Sequence, residues 1–291
     1  MVRFLIIVIS KLRVCLDGLR FNFVEIPFRK KIISEFVSEN EFKCKEGLAH
    51  LIKRNVHYLK KLKLQNLMFT FALFFDNKEM FEEHLSHVNL KSLNKFEKYR
   101  GSGCVVISYH VGPYSLLPLI LISHGYNVTL MLRPNELTKG AKFGFKQIKN
   151  KLEIFFSKNE ELGKLTLVDS SSIMALLQVQ KAIKRGDVVV IFPDTAKDAS
   201  VQSIPVPFFQ QNIAGHGGLA QLFKITKAPF VPIYLTWEKE KASISVCDPL
   251  DLNEKDSDET ITNNIYKLFP ELVKKYPEQW MQFISYHLLK Y

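Results

Sequence analysis

The stretch Cys104–Tyr109 (CVVISY) is a continuous run of apolar and β-branched residues that begins shortly after Gly101. Its length and composition predict a strand buried on both faces of a sheet. Similar runs recur downstream at Val128–Leu132, Leu165–Val168, Val188–Phe192, Phe230–Leu235 and Ala242–Cys247. Helical patterns lie between several of them, over Leu116–Ile122, Ser170–Lys184 and Leu219–Thr226. This alternation predicts an α/β fold with a mainly parallel central sheet flanked by helices. A proline-punctuated loop is predicted after Phe192 through Pro207, and the acidic stretch Asp251–Glu259 is predicted as a solvated loop or a helix start.

The chain before this first strand has a different pattern. Residues 1–98 have helical periodicity and contain one proline, Pro27. We therefore predict a helical N-terminal region, 1–98, followed by one continuous α/β core, 99–291. The apolar run Phe4–Ser10 is too short to cross a bilayer, which needs about 20 residues. Flanked by Arg3 and Lys11, it indicates a helix in the membrane interface or a first helix packed on the core.

The composition points to an anionic partner. Forty Lys and Arg against 29 Asp and Glu give a formal charge of +11. Nucleic acid is disfavoured because the chain has no Cys/His finger and no aromatic-flanked basic motif. Basic residues are mixed with apolar ones in the first third, which favours a membrane surface. Four scattered cysteines form no Cys-x-x-Cys pair, which indicates reduced cytosolic thiols and no zinc site.

His110 is the strongest catalytic candidate. In open α/β sheets, sites lie beyond the carboxyl ends of the strands, here at residues 109–115 and Pro193–Thr195. Histidine is the usual general base near neutral pH. His216, in a glycine-rich segment predicted to be a loop, is a secondary candidate for contact with an anion or oxyanion. His84 and His87 lack a third ligand, so no metal is expected.

The order of segments resembles the lysophospholipid acyltransferase superfamily, and within it the late acyltransferases of lipid A biosynthesis. Those enzymes carry His-x-x-x-x-Asp/Glu after a strand, and the matching residues here are His110 to Ser115. Further similar segments are Arg133-Pro134, Pro193-Asp194, Val206–Phe209, Ala228–Pro232 and Pro277–Trp280. Each motif is weak alone, but their common order makes the resemblance specific over about residues 45 to 285.

The resemblance implies a glycerolipid acyltransferase-like fold and direct acyl transfer without a cofactor. His110 would deprotonate a hydroxyl or amine that attacks a thioester on acyl carrier protein or CoA. Asp194 would complete the polar site or cap the segment that follows it. Arg133 would bind an anionic group, stabilise the oxyanion or form a surface salt bridge. The residues expected to contact substrate are Tyr114, Arg133, Phe208 and Phe209, although the two phenylalanines equally fit a core. An acidic carrier protein suits the +11 charge. The resemblance also implies a cytoplasmic protein bound peripherally to the inner face of the inner membrane.

Two positions depart from the family pattern. Thr195 replaces the glutamine that follows the aspartate in the family, and Ser115 replaces the acidic partner of the histidine. A serine can orient the ring but supplies no charge. Asp194 or Glu136 would then substitute, or the acceptor would be an amine that needs less activation. Such a change also fits a carrier-bound aminoacyl or unusual-acyl transferase, or a member that only binds lipid or carrier protein. A hydrolase with Ser115 as nucleophile is disfavoured because no Gly-x-Ser-x-Gly elbow is present.

Overall fold

A computed structural model describes residues 26–43, 46–74, 76–132, 145–159, 161–170, 172, 174–195, 203–239 and 241–291. The predicted interfacial helix at the N-terminus lies outside the described residues, as do Arg133 and Glu136. None of the described helices is long and apolar enough to cross a membrane.

Nine strands are described, numbered in chain order. They are β1 Val88–Asn89, β2 Cys104–Ile107, β3 Val128–Leu132, β4 Leu165–Asp169, β5 Val188–Ile191, β6 Ser203–Phe208, β7 Gln211–His216, β8 Phe230–Glu238 and β9 Lys241–Val246. Seven of them form one sheet in the order β1-β9-β8-β2-β5-β3-β4. Every neighbouring pair in it is parallel except β8 and β9. The predicted α/β fold with a mainly parallel sheet is therefore confirmed.

Ten α-helices are described, also numbered in chain order. They are α1 Ile26–Glu39, α2 Leu48–Phe74, α3 Lys78–Ser86, α4 Leu116–Ser123, α5 Phe145–Lys158, α6 Ala175–Lys184, α7 Gly218–Thr226, α8 Asp258–Tyr266, α9 Leu268–Lys275 and α10 Tyr286–Leu289. Three 3₁₀ helices are also described, spanning Lys91–Tyr99, Pro277–Gln279 and Met281–Ser285. Within the described part of the predicted N-terminal region, the chain is helical apart from short turns and β1.

Strand β2 lies at the centre of the sheet and is buried on both faces. Cys104 and Val106 belong to one hydrophobic cluster, whereas Val105 and Ile107 belong to the other. This explains the continuous apolar run, because a strand covered on both sides has no solvent-facing positions. Each fully buried valine or isoleucine contributes about 1.5–3 kcal/mol relative to an exposed one. Burial on both faces therefore fixes this strand at the sheet centre.

The N-terminal helices pack on the α/β core. Tyr58 and Leu62 of α2 belong to the cluster on one face of the sheet, and Phe36 of α1 belongs to the cluster on the other. Phe36 has edge-on contacts with Trp280 and Phe283 near the C-terminus. The division at residue 98 stays a prediction, but the described helices before it contribute to the same two clusters as the sheet.

The segment before residue 208 differs from the prediction of a proline-punctuated loop. Ser203–Phe208 and Gln211–His216 pair as an antiparallel hairpin, separate from the main sheet. The turn is tight, and Phe209 adopts a left-handed φ of 54°. The acidic stretch Asp251–Glu259, predicted as a solvated loop or a helix start, leads into α8, where the side chain of Ser257 caps the first turn.

Candidate active site

His110 follows the carboxyl end of β2 and is held by backbone contacts on both sides of its loop. Its carbonyl accepts a hydrogen bond from Met281 N at 2.8 Å, and Gly112 N donates to Gln279 O at 2.9 Å. Gly112 has φ 61°, and a Cβ there would lie 2.3 Å from the backbone oxygen of Leu235. Only glycine fits this position. The strand end and the C-terminal segment together therefore fix the backbone that carries the histidine.

The register of the two central strands places Asp194 next to His110. β2 pairs with β5 in parallel, with Ile107 opposite Ile191. His110 lies three residues beyond Ile107, and Asp194 lies three residues beyond Ile191. Parallel strands carry such equivalent positions to the same edge of a sheet. Asp194 was predicted to complete the polar site, and this pairing explains how the sequence brings the two residues together.

The Asp194 carboxylate contacts both the ring and the backbone of His110. Nδ1 of the ring lies 2.8 Å from Oδ1, and the His110 N–H lies 3.0 Å from Oδ2 and 3.2 Å from Oδ1. The Asp194 side chain is completely buried, and that of His110 is 8 % exposed. A carboxylate at Nδ1 places the proton on that nitrogen. Nε2 is then the ring nitrogen with a lone pair for a substrate proton.

Two aromatic side chains pack around the His110 ring. The Tyr114 ring lies edge-on with centroids 4.5 Å apart, and the Phe192 ring lies at 5.1 Å. Tyr114 was predicted as a substrate contact, whereas Phe192 was predicted only as the end of a strand. Phe192 follows β5 directly, two residues before Asp194, so the same strand end supplies the carboxylate and one apolar wall of the site.

In the described structure Ser115 makes no hydrogen bond to the His110 ring. Its hydroxyl donates instead to Asn66 Oδ1 of α2 at 2.6 Å. Ser115 is the residue before α4, so this bond connects the start of α4 to α2. The carboxylate within hydrogen-bond reach of the His110 ring, among the described residues, is that of Asp194.

Phe208 and Phe209 lie in an aromatic cluster and make no ring contact with His110 in the described structure. Phe208 is fully buried, stacked on Phe269 with centroids 4.8 Å apart. Phe209 is partly exposed and has edge-on contacts with Phe36 and Phe42. For Phe208 these contacts match the core alternative. Arg133 lies outside the described residues.

His216 is the last residue of β7, not part of a flexible loop. One of its ring nitrogens lies 3.1 Å from Thr195 Oγ1, next to Asp194 in the chain. Its backbone N–H donates to the Tyr266 hydroxyl at 3.2 Å. Sequence reasoning did not identify Tyr266, because a tyrosine within a helical pattern carries no local signal of a distant contact.

No metal site was expected from the histidines and cysteines of the sequence. Within the described ranges, no group of three or more His, Cys, Asp or Glu side chains is placed to hold a metal ion. Cys104 is buried in the core, and its burial raises the pKa of the thiol to about 12. This thiol therefore stays protonated at neutral pH.

The chain was compared with protein families and with curated proteins. A search of curated proteins gave no match to the chain. The family described as bacterial lipid A biosynthesis acyltransferase matches residues 61–287, from the middle of α2 to the C-terminal 3₁₀ segment and α10. The matched range includes His110, Asp194 and Gln279, and it covers most of the chain. This chain belongs to the bacterial lipid A biosynthesis acyltransferase family.

Proposed function

We propose that the chain transfers an acyl group from a carrier-protein or CoA thioester to a hydroxyl or amine acceptor, with His110 as general base and Asp194 as its carboxylate partner. The observation that carries this proposal is the 2.8 Å contact between His110 Nδ1 and Asp194 Oδ1. A buried carboxylate both orients the imidazole and stabilises its cationic form. Family membership supplies the reaction class, acyl transfer in lipid A biosynthesis.

The proposed reaction begins with attack of the acceptor oxygen or nitrogen on the thioester carbonyl carbon. His110 Nε2 takes the acceptor proton as the new bond forms, and the carbonyl oxygen becomes an oxyanion. Asp194 stabilises the imidazolium at Nδ1 during this step. The oxyanion then collapses, the carbon–sulfur bond breaks, and the leaving thiolate takes the proton from Nε2. The products are an ester or amide and a free thiol, and His110 returns to its neutral form.

In this proposal Asp194 takes the carboxylate role that Ser115 cannot fill. Ser115 bonds to Asn66, whereas Asp194 reaches the ring from the neighbouring strand. A member that only binds lipid or carrier protein has no use for a buried carboxylate on the ring, and burying such a charge is costly unless it is fully hydrogen-bonded. The pair therefore favours a catalytic protein over a binding one.

The partner proposal rests on charge. The formal charge of +11 attracts acidic carrier proteins and anionic lipid alike. We therefore propose acyl carrier protein as the donor carrier and the inner face of the inner membrane as the place of action, reached by peripheral binding. Both attractions depend on ionic strength. Association that does not weaken as salt is raised from about 0.05 M to about 0.5 M would contradict this part of the proposal.

The experiment measures transfer of a radiolabelled lauroyl group from its acyl carrier protein thioester to an underacylated lipid A precursor in vesicles. We expect His110→Ala and Asp194→Asn to lower kcat by about 10²–10⁴-fold, the range of general base catalysis. The matched control is Asp187→Asn. Asp187 is also buried and directly precedes β5, at the opposite end from Asp194, where it accepts hydrogen bonds from Arg185 and Thr129. That variant should lose stability and keep its activity.

The outcomes separate the competing functions. Unchanged transfer in His110→Ala would overturn the proposed mechanism. Amide formation with an amine acceptor, and none with the lipid A precursor, would indicate a transferase for another acceptor that uses the same pair. Binding of the carrier protein without turnover toward either acceptor would indicate a non-catalytic member.

A further inference from the structure

The short turn that carries Asp194 is held on both sides by residues from other parts of the chain. On one side, the Tyr266 hydroxyl donates to the carbonyl of Pro193 at 2.8 Å. On the other side, the hydroxyl of Thr195 lies 3.1 Å from a ring nitrogen of His216. The two supports are connected, because the His216 N–H donates to the same Tyr266 hydroxyl at 3.2 Å.

The bond to Pro193 bears directly on the orientation of Asp194. The carbonyl of Pro193 and the N–H of Asp194 belong to one planar peptide unit. Fixing that carbonyl therefore fixes the plane from which the Asp194 side chain projects. β5 ends at Ile191, so this peptide lies beyond the strand and a side chain supplies its hydrogen bond. A rotation of the plane would move the carboxylate away from His110 Nδ1.

Tyr266 is suited to this role by its environment. It is the last residue of α8 and is 1 % exposed. Burial, opposed in part by the His216 N–H and assisted by the charge of Asp194, raises the pKa of Tyr266 well above its ordinary value. The hydroxyl therefore stays protonated around neutral pH and remains a donor to Pro193.

We propose that Tyr266, together with His216, is a positioning residue for the catalytic pair, holding the Pro193–Thr195 turn so that the Asp194 carboxylate meets His110 Nδ1. This inference rests on the proposed function of that pair and adds a residue from α8 to it. Within the described structure Tyr266 makes no hydrogen bond or ring contact with His110, so its effect is expected only through Asp194.

The experiment replaces the hydroxyl alone, with Tyr266→Phe. Its matched control is Tyr286→Phe, which removes another buried hydroxyl, bonded to Asn40 Nδ2 at 2.6 Å on the α1 side of the molecule. The first readout is the titration of the His110 ring, followed by NMR in ¹⁵N-histidine-labelled full-length protein and assigned with His110→Gln. The second readout is the pair of constants kcat and KM for transfer of the lauroyl group from lauroyl–acyl carrier protein.

A displaced carboxylate stabilises the imidazolium less, so the NMR signals of the His110 ring should change at lower pH in Tyr266→Phe than in wild type. The acidic limb of the kcat/KM profile should move to lower pH for the same reason. We expect kcat to fall about tenfold, the equivalent of one hydrogen bond, with KM little changed. Tyr114 also packs against the His110 ring, so it is left unchanged in every variant to keep that contact constant. The control should lose stability without moving the His110 titration.

A His110 titration and a pH profile identical in wild type and Tyr266→Phe would overturn the inference. If Tyr266→Phe does not fold, Thr195→Val tests the other support, with Thr195→Ser as the variant that keeps the hydroxyl. The valine variant should then show the same shift, and an unshifted titration in it would also overturn the inference. Inactivity of His110→Ala with an unaffected Tyr266→Phe rejects this inference alone, whereas full activity of His110→Ala rejects the proposed function.

Discussion

Gln279 exchanges two hydrogen bonds with the backbone of Trp237. Its Nε2 donates to the Trp237 carbonyl at 2.9 Å, and the Trp237 N–H donates to its Oε1 at 2.7 Å. The backbone carbonyl of Gln279 also accepts from Gly112, two residues after His110. The glutamine is 1 % exposed. One buried residue therefore connects β8, through its side chain, to the loop that carries the proposed base, through its backbone.

Replacement of this glutamine should be costly. Gln279→Leu keeps a similar volume but leaves the N–H and the carbonyl of Trp237 unpaired in the core. We expect the free energy of unfolding to fall by about 3 kcal/mol, since each unsatisfied buried group costs about 1–3 kcal/mol. Urea unfolding measures the change. The control is Gln178→Leu on the exposed face of α6, which should shift the free energy of unfolding by less than about 0.5 kcal/mol.

The central strands could be predicted from sequence because each is buried on both faces and reads as a continuous apolar run. The predictions extended β2 and β5 too far by two residues and one residue. The β6–β7 hairpin was missed because Pro205 and Pro207 interrupt the first strand. Prolines are tolerated there because a two-stranded ribbon leaves alternate N–H groups unpaired.

The site was predictable only in part. His110 and the Pro193–Thr195 turn were identified, because both follow buried strands. The choice between Asp194 and Glu136 stayed open, since it depends on β5 lying beside β2, and strand order is not a local property of the sequence. Tyr266 was missed for the same reason, because its contact with Pro193 joins residues 73 positions apart.

A second prediction concerns Ser115. Its hydroxyl bonds to Asn66 and not to His110, so Ser115→Ala should lower the free energy of unfolding by about 1 kcal/mol and leave kcat close to the wild-type value. A double-mutant cycle with Asn66→Ala should give a coupling energy of about 1 kcal/mol. A loss of kcat as large as that of Asp194→Asn would show instead that Ser115 acts on the histidine.

A third prediction follows from His84 on α3, whose Nε2 is buried without a hydrogen-bond partner among the described residues. Burial, assisted by the charge of His87, lowers the pKa of His84 below its ordinary value of 6.5. Below that ordinary value the unfolded chain binds a proton that the folded protein does not. Stability is therefore complete above about pH 6.5 and falls as the pH drops toward the folded-state pKa.

This sign can be tested by chemical unfolding between about pH 7 and about pH 5. The free energy of unfolding should fall more steeply with decreasing pH in wild type than in His84→Gln. The exposed His57 provides the control, because His57→Gln should leave the slope of wild type unchanged. Equal slopes in wild type and His84→Gln would contradict the prediction.

The last prediction compares two glycines, one that avoids backbone strain alone and one that also avoids a steric clash. Gly101 and Gly112 both have positive φ, 73° and 61°. A Cβ on Gly101 would meet no atom within 4 Å, whereas one on Gly112 would lie 2.3 Å from Leu235 O. Gly101→Ala should therefore cost only the left-handed strain, about 1–2 kcal/mol. Gly112→Ala adds a backbone clash and should cost about 1–3 kcal/mol more.

The two variants should differ more in activity than in stability. The clash at Gly112 pushes the loop away from β8 and loosens its bond to Gln279, which moves His110 relative to Asp194. We expect Gly112→Ala to lose most of its kcat under conditions in which it is fully folded, while Gly101→Ala keeps it, because Gly101 lies before β2. Equal activity in the two variants would mean that the loop absorbs the clash without moving the histidine, and that the close packing against Leu235 serves stability alone.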